Sequence, residues 1–427
     1  MIKLTYKEYK NNSFNLYTIK TDRFKTCFLD IIFYNKVDKD LITKENVLGS
    51  MIQHSSLKYP KRKYVVEHSE DLYNAQFYTT KARIGNVRII CFSLNFLDPI
   101  YTDKSYLKEV IKFPFEMIFN PNIKNDEFDE RTLKIIKNRV RANIDSAKEA
   151  PVRYSIKQAI KNIDANSPAA IDMDGNIKDL NKINSENLAE FYKYFLDNYY
   201  CDIYLVGNLN MDKMNIMIKD LFDNDIIKTS KFDYHFINNF KSKKEIIEKD
   251  NYDQSTLVCL YDTSKLSDYE KQYVMAVFNF IFGNGSLTNK LFTNLREKNS
   301  LCYSISSSYQ RHDNLLIVHS GIDAKNKNKA VKLINKSLKE MQTGMFSNED
   351  VENAIKALNS AIKEASNNQN SLVNNYFSHN MFDYPLLNVI SDKIGDVTKK
   401  DVVSVANKLK LNLVYMMEGE SDEGNKA

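Results

Sequence analysis

Apolar and polar positions along this chain fall into two periods, and the two periods predict its elements. "TCFLDIIFY" (26–34) and "QSTLVCLYD" (254–262) are nearly continuous apolar runs of strand length. Residues 72–98 read as a polar alternating strand, a Gly-Asn turn and an apolar strand, which predicts a β-hairpin. "LCYSISSSYQRHDNLLIVHSGIDAK", from residue 301, gives the same reading with its turn at Asp313-Asn314. "NDEFDERTLKIIKNRV" (125–140) and "NEDVENAIKALNSAI" (348–362) each open on an acidic turn and continue with apolar residues at helical spacing. "CDIYLVGN" (201–208) and "LNLVYMMEG" (411–419) are predicted closing strands.

These elements form one series written twice. With residue n set against n+228, Arg83 meets Arg311, Asn86 meets Asn314, and Val87 and Ile89 meet Leu315 and Ile317. The predicted class is therefore α+β: two homologous halves, each a mainly antiparallel sheet with helices packed on one face. The expected boundaries are 1–228 and 244–427, joined by a linker at 229–243, with a frayed acidic tail "EGESDEGNKA".

Composition narrows the function classes. Sixty basic against 55 acidic side chains leave a net charge of +5, too small a surplus to point to nucleic acid or an anionic membrane. No apolar run approaches the roughly 18 residues of a membrane-spanning helix. The opening "MIKLTYKEYKNNSF" is polar and mixed in charge, so the expected location is cytoplasmic. Five scattered cysteines without a CxxC pair argue against both a disulfide framework and a thiolate zinc site.

One stretch carries more chemistry than the rest. "GNGSLTNKLFTNLREKNSLCY" (283–303) joins a glycine turn, an amphipathic helix ending in Arg296, and a serine-rich strand opening with Tyr303. As G-x-G-S-x-x-x-x-L-F-x-x-L-R-E-K-x-x-L-x-Y in the second half of a duplicated chain, it resembles the pitrilysin/insulinase-type zinc peptidases, the inverzincins. That resemblance covers nearly the whole chain and implies a metallopeptidase-like clamshell half. It also implies H-x-x-E-H on a helix of the first half, with two His ligands, a Glu that activates water and a third ligand on a later helix.

The family motif falls on "LGSMIQHSSLKYP" (48–60) and is degenerate there. Ser50 stands at the first His position, Gln53 at the catalytic Glu, and only His54 remains. An amide cannot take a proton from a metal-bound water, and a serine hydroxyl is a poor zinc ligand. At the third-ligand position the helix pattern puts Asn138 or Arg139, whereas counting from His54 gives Glu130, in a first helical turn where it complements the dipole. "YVVEH" (64–68) is H-x-x-E-H with Tyr64 in place of the first His, a pattern short enough to arise by accident. No metal or other cofactor is expected in this chain.

Taken singly, Arg296 is a solvated cation at a helix end and Tyr303 a strand aromatic. At family spacing behind the glycine turn, the resemblance implies that they bind substrate together with Gly283, Gly285 and Ser286 of the turn. A guanidinium and a phenol are donors suited to peptide carbonyls and a developing oxyanion. The expectation is a catalytically incomplete subunit of a heterodimeric zinc peptidase, paired with an H-x-x-E-H-bearing chain that holds the zinc. Its ligand would be a peptide or protein docking as an added strand. The nearest resemblance is to the bacterial insulinase-like protein associated with aminopentanol modification of elongation factor P. The rivals are a structural or peptide-binding scaffold of the same fold, and a self-sufficient metallopeptidase using His54, Glu67, His68 or Glu130.

Overall fold

The computed structural model describes residues 4–221, 244–285 and 287–419. The expected linker 229–243, Ser286 and the acidic tail beyond Gly419 lie outside them. The chain divides into two compact units.

The first unit is built on a six-stranded sheet in the order β1-β2-β8-β3-β5-β4. Its strands are β1 (Thr5–Lys10), β2 (Asn15–Lys20), β3 (Thr26–Lys36), β4 (Gln76–Ile84), β5 (Val87–Leu97) and β8 (Tyr200–Gly207). Its helices are α1 (Ile42–His54), α2 (Arg62–Asp71), α3 (Tyr106–Phe119), α4 (Glu130–Lys148), α6 (Ile177–Lys182), α7 (Ser185–Asn198) and α8 (Met211–Leu221). A short ribbon, β6 (Ile123–Lys124) with β7 (Glu127–Phe128), precedes α4. Alternation along β3 sends Leu29, Ile31 and Phe33 into one core with Val47, Leu48, Met51 and Ile52 of α1, Phe113 of α3 and Phe195 of α7. The opposite side of β3 and β8 carries Asp30, Tyr34 and Asp202, also buried.

The second unit repeats the plan with a five-stranded sheet, β11-β12-β10-β13-β9. Here β9 is Lys244–Lys249, β10 Thr256–Asp262, β11 Cys302–Gln310, β12 Leu315–Ile322 and β13 Lys410–Glu418. The correspondence extends to strand direction: β2 runs parallel to β8, and β9 runs parallel to β13. Helix α9 (Met275–Asn279) is flanked by π-helical turns at Glu270–Val274 and Phe280–Asn284, and a third such turn covers Phe292–Glu297. Helices α10 (Lys327–Gln342), α11 (Asn348–Ala365), α12 (Gln369–Phe382), α13 (Leu387–Gly395) and α14 (Lys399–Lys408) complete it.

Two segments do not stay with their own copy. Ser146–Ile171, which contains α5 (Pro151–Ile163), belongs to the second unit, and Gln369–Asn374 at the start of α12 belongs to the first. Ala159 and Ile160 of α5 are buried against Val258, Leu260, Ile317, Leu413 and Tyr415. Leu257, Cys259, Leu316, Val318 and Met416 face the other core. The second sheet is thus apolar on both sides, which is why β10, β12 and β13 read as continuous rather than alternating runs. Reciprocally, Gln369 accepts from Thr26 Oγ1 at 3.0 Å and donates to the Thr26 carbonyl at 2.7 Å.

Candidate functional site

The degenerate motif sits on the last two turns of α1. Leu48, Met51 and Ile52 enter the core, which leaves Ser50, Gln53 and His54 on the open side of the helix. Gly49 faces β4, where an added Cβ would come within 3.0 Å of Lys81 Cε and 3.1 Å of Thr79 Cγ2. That clearance lets the Lys81 ammonium reach the Asn46 carbonyl at 2.9 Å and Ser50 Oγ at 3.3 Å. Ser50 itself donates to the same carbonyl at 2.9 Å, so its hydroxyl is tied into the helix. Burial and the neighbouring Arg88 bring Lys81 down to about 8.

Gln53 is also bound into the frame. Its side-chain oxygen accepts the Thr79 N–H at 3.2 Å, and its backbone carbonyl accepts from Arg62 at 2.9 Å. His54 has a buried Nδ1 with no hydrogen-bond partner. Burial first, then the like charges of Arg62 and Arg139, lower its pKa, with Asp129 opposing. Ser50, Gln53, His54, Arg62 and Arg139 together line a cavity of about 170 Å³. Of the residues at the expected third-ligand position, Arg139 lines this cavity, while Asn138 and Glu130 are outside that lining.

This set does not fit a zinc ion. It offers one imidazole, an engaged hydroxyl, an engaged amide oxygen and two guanidinium groups, with an ammonium behind the hydroxyl. Cationic side chains have no lone pair to give and repel a divalent cation. No group of three or more His, Cys, Asp or Glu side chains placed to hold a metal occurs among the described residues. The "YVVEH" segment is helical, as α2, but its side chains have other partners. His68 stacks on Tyr59 at 4.7 Å and meets Phe113 edge-on, Glu67 pairs with Lys63 at 3.4 Å, and Tyr64 is exposed.

The second unit brings Arg296 and Tyr303 together. Arg296 lies next to the end of the π-helical turn, Ser300 turns the chain in the left-handed region at φ 47°, and Tyr303 is the second residue of the edge strand β11. A register irregularity between Cys302 and Ile305 frees Tyr303 from regular pairing. The Arg296 guanidinium lies 4.9 Å from the Phe292 ring centroid and 5.0 Å from that of Tyr303. Tyr303 is 79% exposed. Among the described residues no hydrogen bond or ion pair engages the Arg296 guanidinium, so its N–H edge is available to a ligand. The two glycines have a packing reason of their own. A Cβ on Gly283 would fall 2.4 Å from Leu291 Cδ1 and 2.6 Å from Ser307 Oγ, and one on Gly285 2.4 Å from the Phe280 carbonyl.

Residues 182–358, which span this signature and stop short of the degenerate motif, match the family model described as Peptidase M16 inactive domain. A conserved protein of Enterococcus faecalis V583 superposes with a TM-score of 0.91 at 26% identity, over 98% of this chain and 99% of that one. The peptidase M16 inactive domain from Pseudomonas fluorescens superposes with a TM-score of 0.78 at 16% identity, over 98% of each chain. The fold is that of the M16 peptidases. A curated relative, the "Probable inactive metalloprotease YmfF" of Bacillus subtilis (strain 168), is 25% identical over 414 residues, 96% of this chain and 97% of that protein. Within the M16 fold, Ser50, Gln53, His54 and Arg139 are neighbours, as the sequence alignment of the motif implies. Arg62 and Lys81 were not legible there. The basic run Lys61-Arg62-Lys63 was the one visible signal, and nothing in sequence ties it to a motif eight residues upstream.

Proposed function

We propose that this chain is the zinc-free subunit of a two-chain M16-type peptidase, presenting Arg296 and Tyr303 to peptide bound beside a partner's zinc. The observation that carries the reading is the cation–π contact of Arg296 with Tyr303, with its guanidinium edge unengaged among the described residues, in a chain whose degenerate motif is flanked by two guanidinium groups. Two neighbouring donors, a guanidinium and a phenol, suit a peptide carbonyl and the charge that grows on its oxygen when water adds. Neither can generate the attacking hydroxide, so that step falls to an H-x-x-E-H-bearing partner. The match to an inactive-domain model and the name of the Bacillus relative support the same assignment. Membership of the group associated with aminopentanol modification of elongation factor P is part of this proposal. No helix among the described residues is long and apolar enough to cross a membrane.

The test is reconstitution with an H-x-x-E-H-bearing M16 chain encoded beside this one. Arg296→Gln and Tyr303→Phe should each lower kcat on a fluorogenic peptide, by about 10²-fold for the arginine, with the zinc content of the pair unchanged. Cleavage indifferent to both substitutions would leave a scaffold role instead. Stoichiometric zinc and peptidase activity in this chain alone would overturn the proposal.

A further inference from the structure

The cavity at the end of α1 collects hydrogen-bond donors and no anion. Arg62 spends one N–H on the Gln53 carbonyl, and Arg139 spends none on any partner among the described residues. The Gln53 amide oxygen is turned to Thr79, which leaves its NH₂ group unpartnered among those residues. His54 adds a ring nitrogen that is buried and unsatisfied. Two guanidinium groups on one small cavity repel each other unless a counter-ion lies between them; burial first, and then the charge of Arg139, lower the pKa of Arg62. No carboxylate lines the cavity. The acid that acts on His54 is Asp129, whose Oδ2 caps α4 by accepting the Thr132 N–H at 2.8 Å. The cavity's 170 Å³ is several times the roughly 30 Å³ share of a liquid water.

We infer that this cavity, bounded by Arg62, Arg139, Gln53 and His54, is an oxyanion-binding site that takes a carboxylate or phosphate group. The metal position of the fold has thereby reversed its chemistry, from acceptors around a cation to donors around an anion. Planar guanidinium groups favour a forked grip on two oxygens, a geometry shared by a peptide C-terminus and a phosphate. Arg62 and Arg139 take no part in the proposed role of Arg296 and Tyr303, so either idea can fail without the other.

Calorimetric titration of the full chain at low ionic strength tests it with three probes. They are inorganic phosphate, a short peptide with a free C-terminal carboxylate, and the same peptide amidated. Saturable 1:1 binding of phosphate, of the free-acid peptide or of both is expected, with no binding of the amidated peptide; which probe binds identifies the source. Arg62→Gln and Arg139→Gln should each weaken that binding about tenfold or more. The His54 imidazole NMR signal should shift on saturation in the wild type and should not shift in the double Arg62→Gln/Arg139→Gln variant. Because Arg139→Gln removes like-charge repulsion and no hydrogen bond among the described residues, that ligand-free variant should melt no lower than the wild type, which separates lost binding from lost folding. Absence of saturable binding by both anions, or binding that survives the double Arg62→Gln/Arg139→Gln variant, would overturn the inference.

Discussion

Asp30 and Asp202 lie on adjoining strands of the first sheet, both fully enclosed, with only neutral hydrogen-bond partners. Loss of hydration raises Asp30 to about 6 and Asp202 to about 7 from an ordinary 3.8, the hydrogen bonds from Ser93, Asn15 and Tyr34 offsetting part of the rise. Glu45 is buried as deeply but meets Arg88 at 2.8 Å, so its charge has a partner. The sign of the linkage follows. The folded chain holds protons on Asp30 and Asp202 that the unfolded chain has already released, so their contribution is complete below about pH 4 and disappears as pH rises through 6 to 7. Asp202→Asn keeps the shape and removes the proton. Thermal melts between about pH 5 and pH 8 should show the wild type losing stability relative to this variant as pH rises. A constant difference in melting temperature across that range would mean that Asp202 does not titrate on unfolding.

At the scale of elements, the π-helical turns of the second unit and the glycines between them form one device. Leu291, just before the wide turn at Phe292–Glu297, and Ser307 of β11 lie so close to the turn at Phe280–Asn284 that Gly283 has no room for a methyl group. Gly283→Ala should therefore cost about 1–3 kcal/mol in urea unfolding through overpacking. Gly395→Ala, with nothing within 4 Å of the added carbon, should be neutral or stabilising. Equal losses in the two variants would remove the steric explanation. The strands and most helices were legible because apolar spacing encodes them directly, and Val87 and Leu315, aligned by the 228-residue offset, do begin equivalent strands β5 and β12. The wide turns were not, since a six-residue change of pitch leaves no mark on an amphipathic pattern. Ser50, Gln53 and His54 were readable as a block because they are contiguous on one helix. Arg62 and Lys81 join that block from another helix and a strand, and only the folded chain shows the join.

For the molecule as a whole, sequence repeats and compact units are different divisions. Periodicity shows that α5 has an apolar face but not which sheet receives it: α5 lies in the first half of the sequence and packs on the sheet of the second unit, to which it belongs. Separate expression of 1–228 and 244–427 should therefore fail. The first piece would expose Ala159 and Ile160, and the second would bare Val258, Leu260, Ile317 and Leu413. Co-expression should restore soluble material that elutes as one species, and two pieces that are each monomeric and cooperatively folded alone would contradict this. The same crossing helix bears on ancestry. Reduced to a single copy, this connectivity leaves one sheet uncovered and its own helix without a seat, a fault that only a twin molecule could repair. An unduplicated forebear would have lived as an interlocked pair whose folding depended on its abundance, and gene fusion would have released it from that dependence.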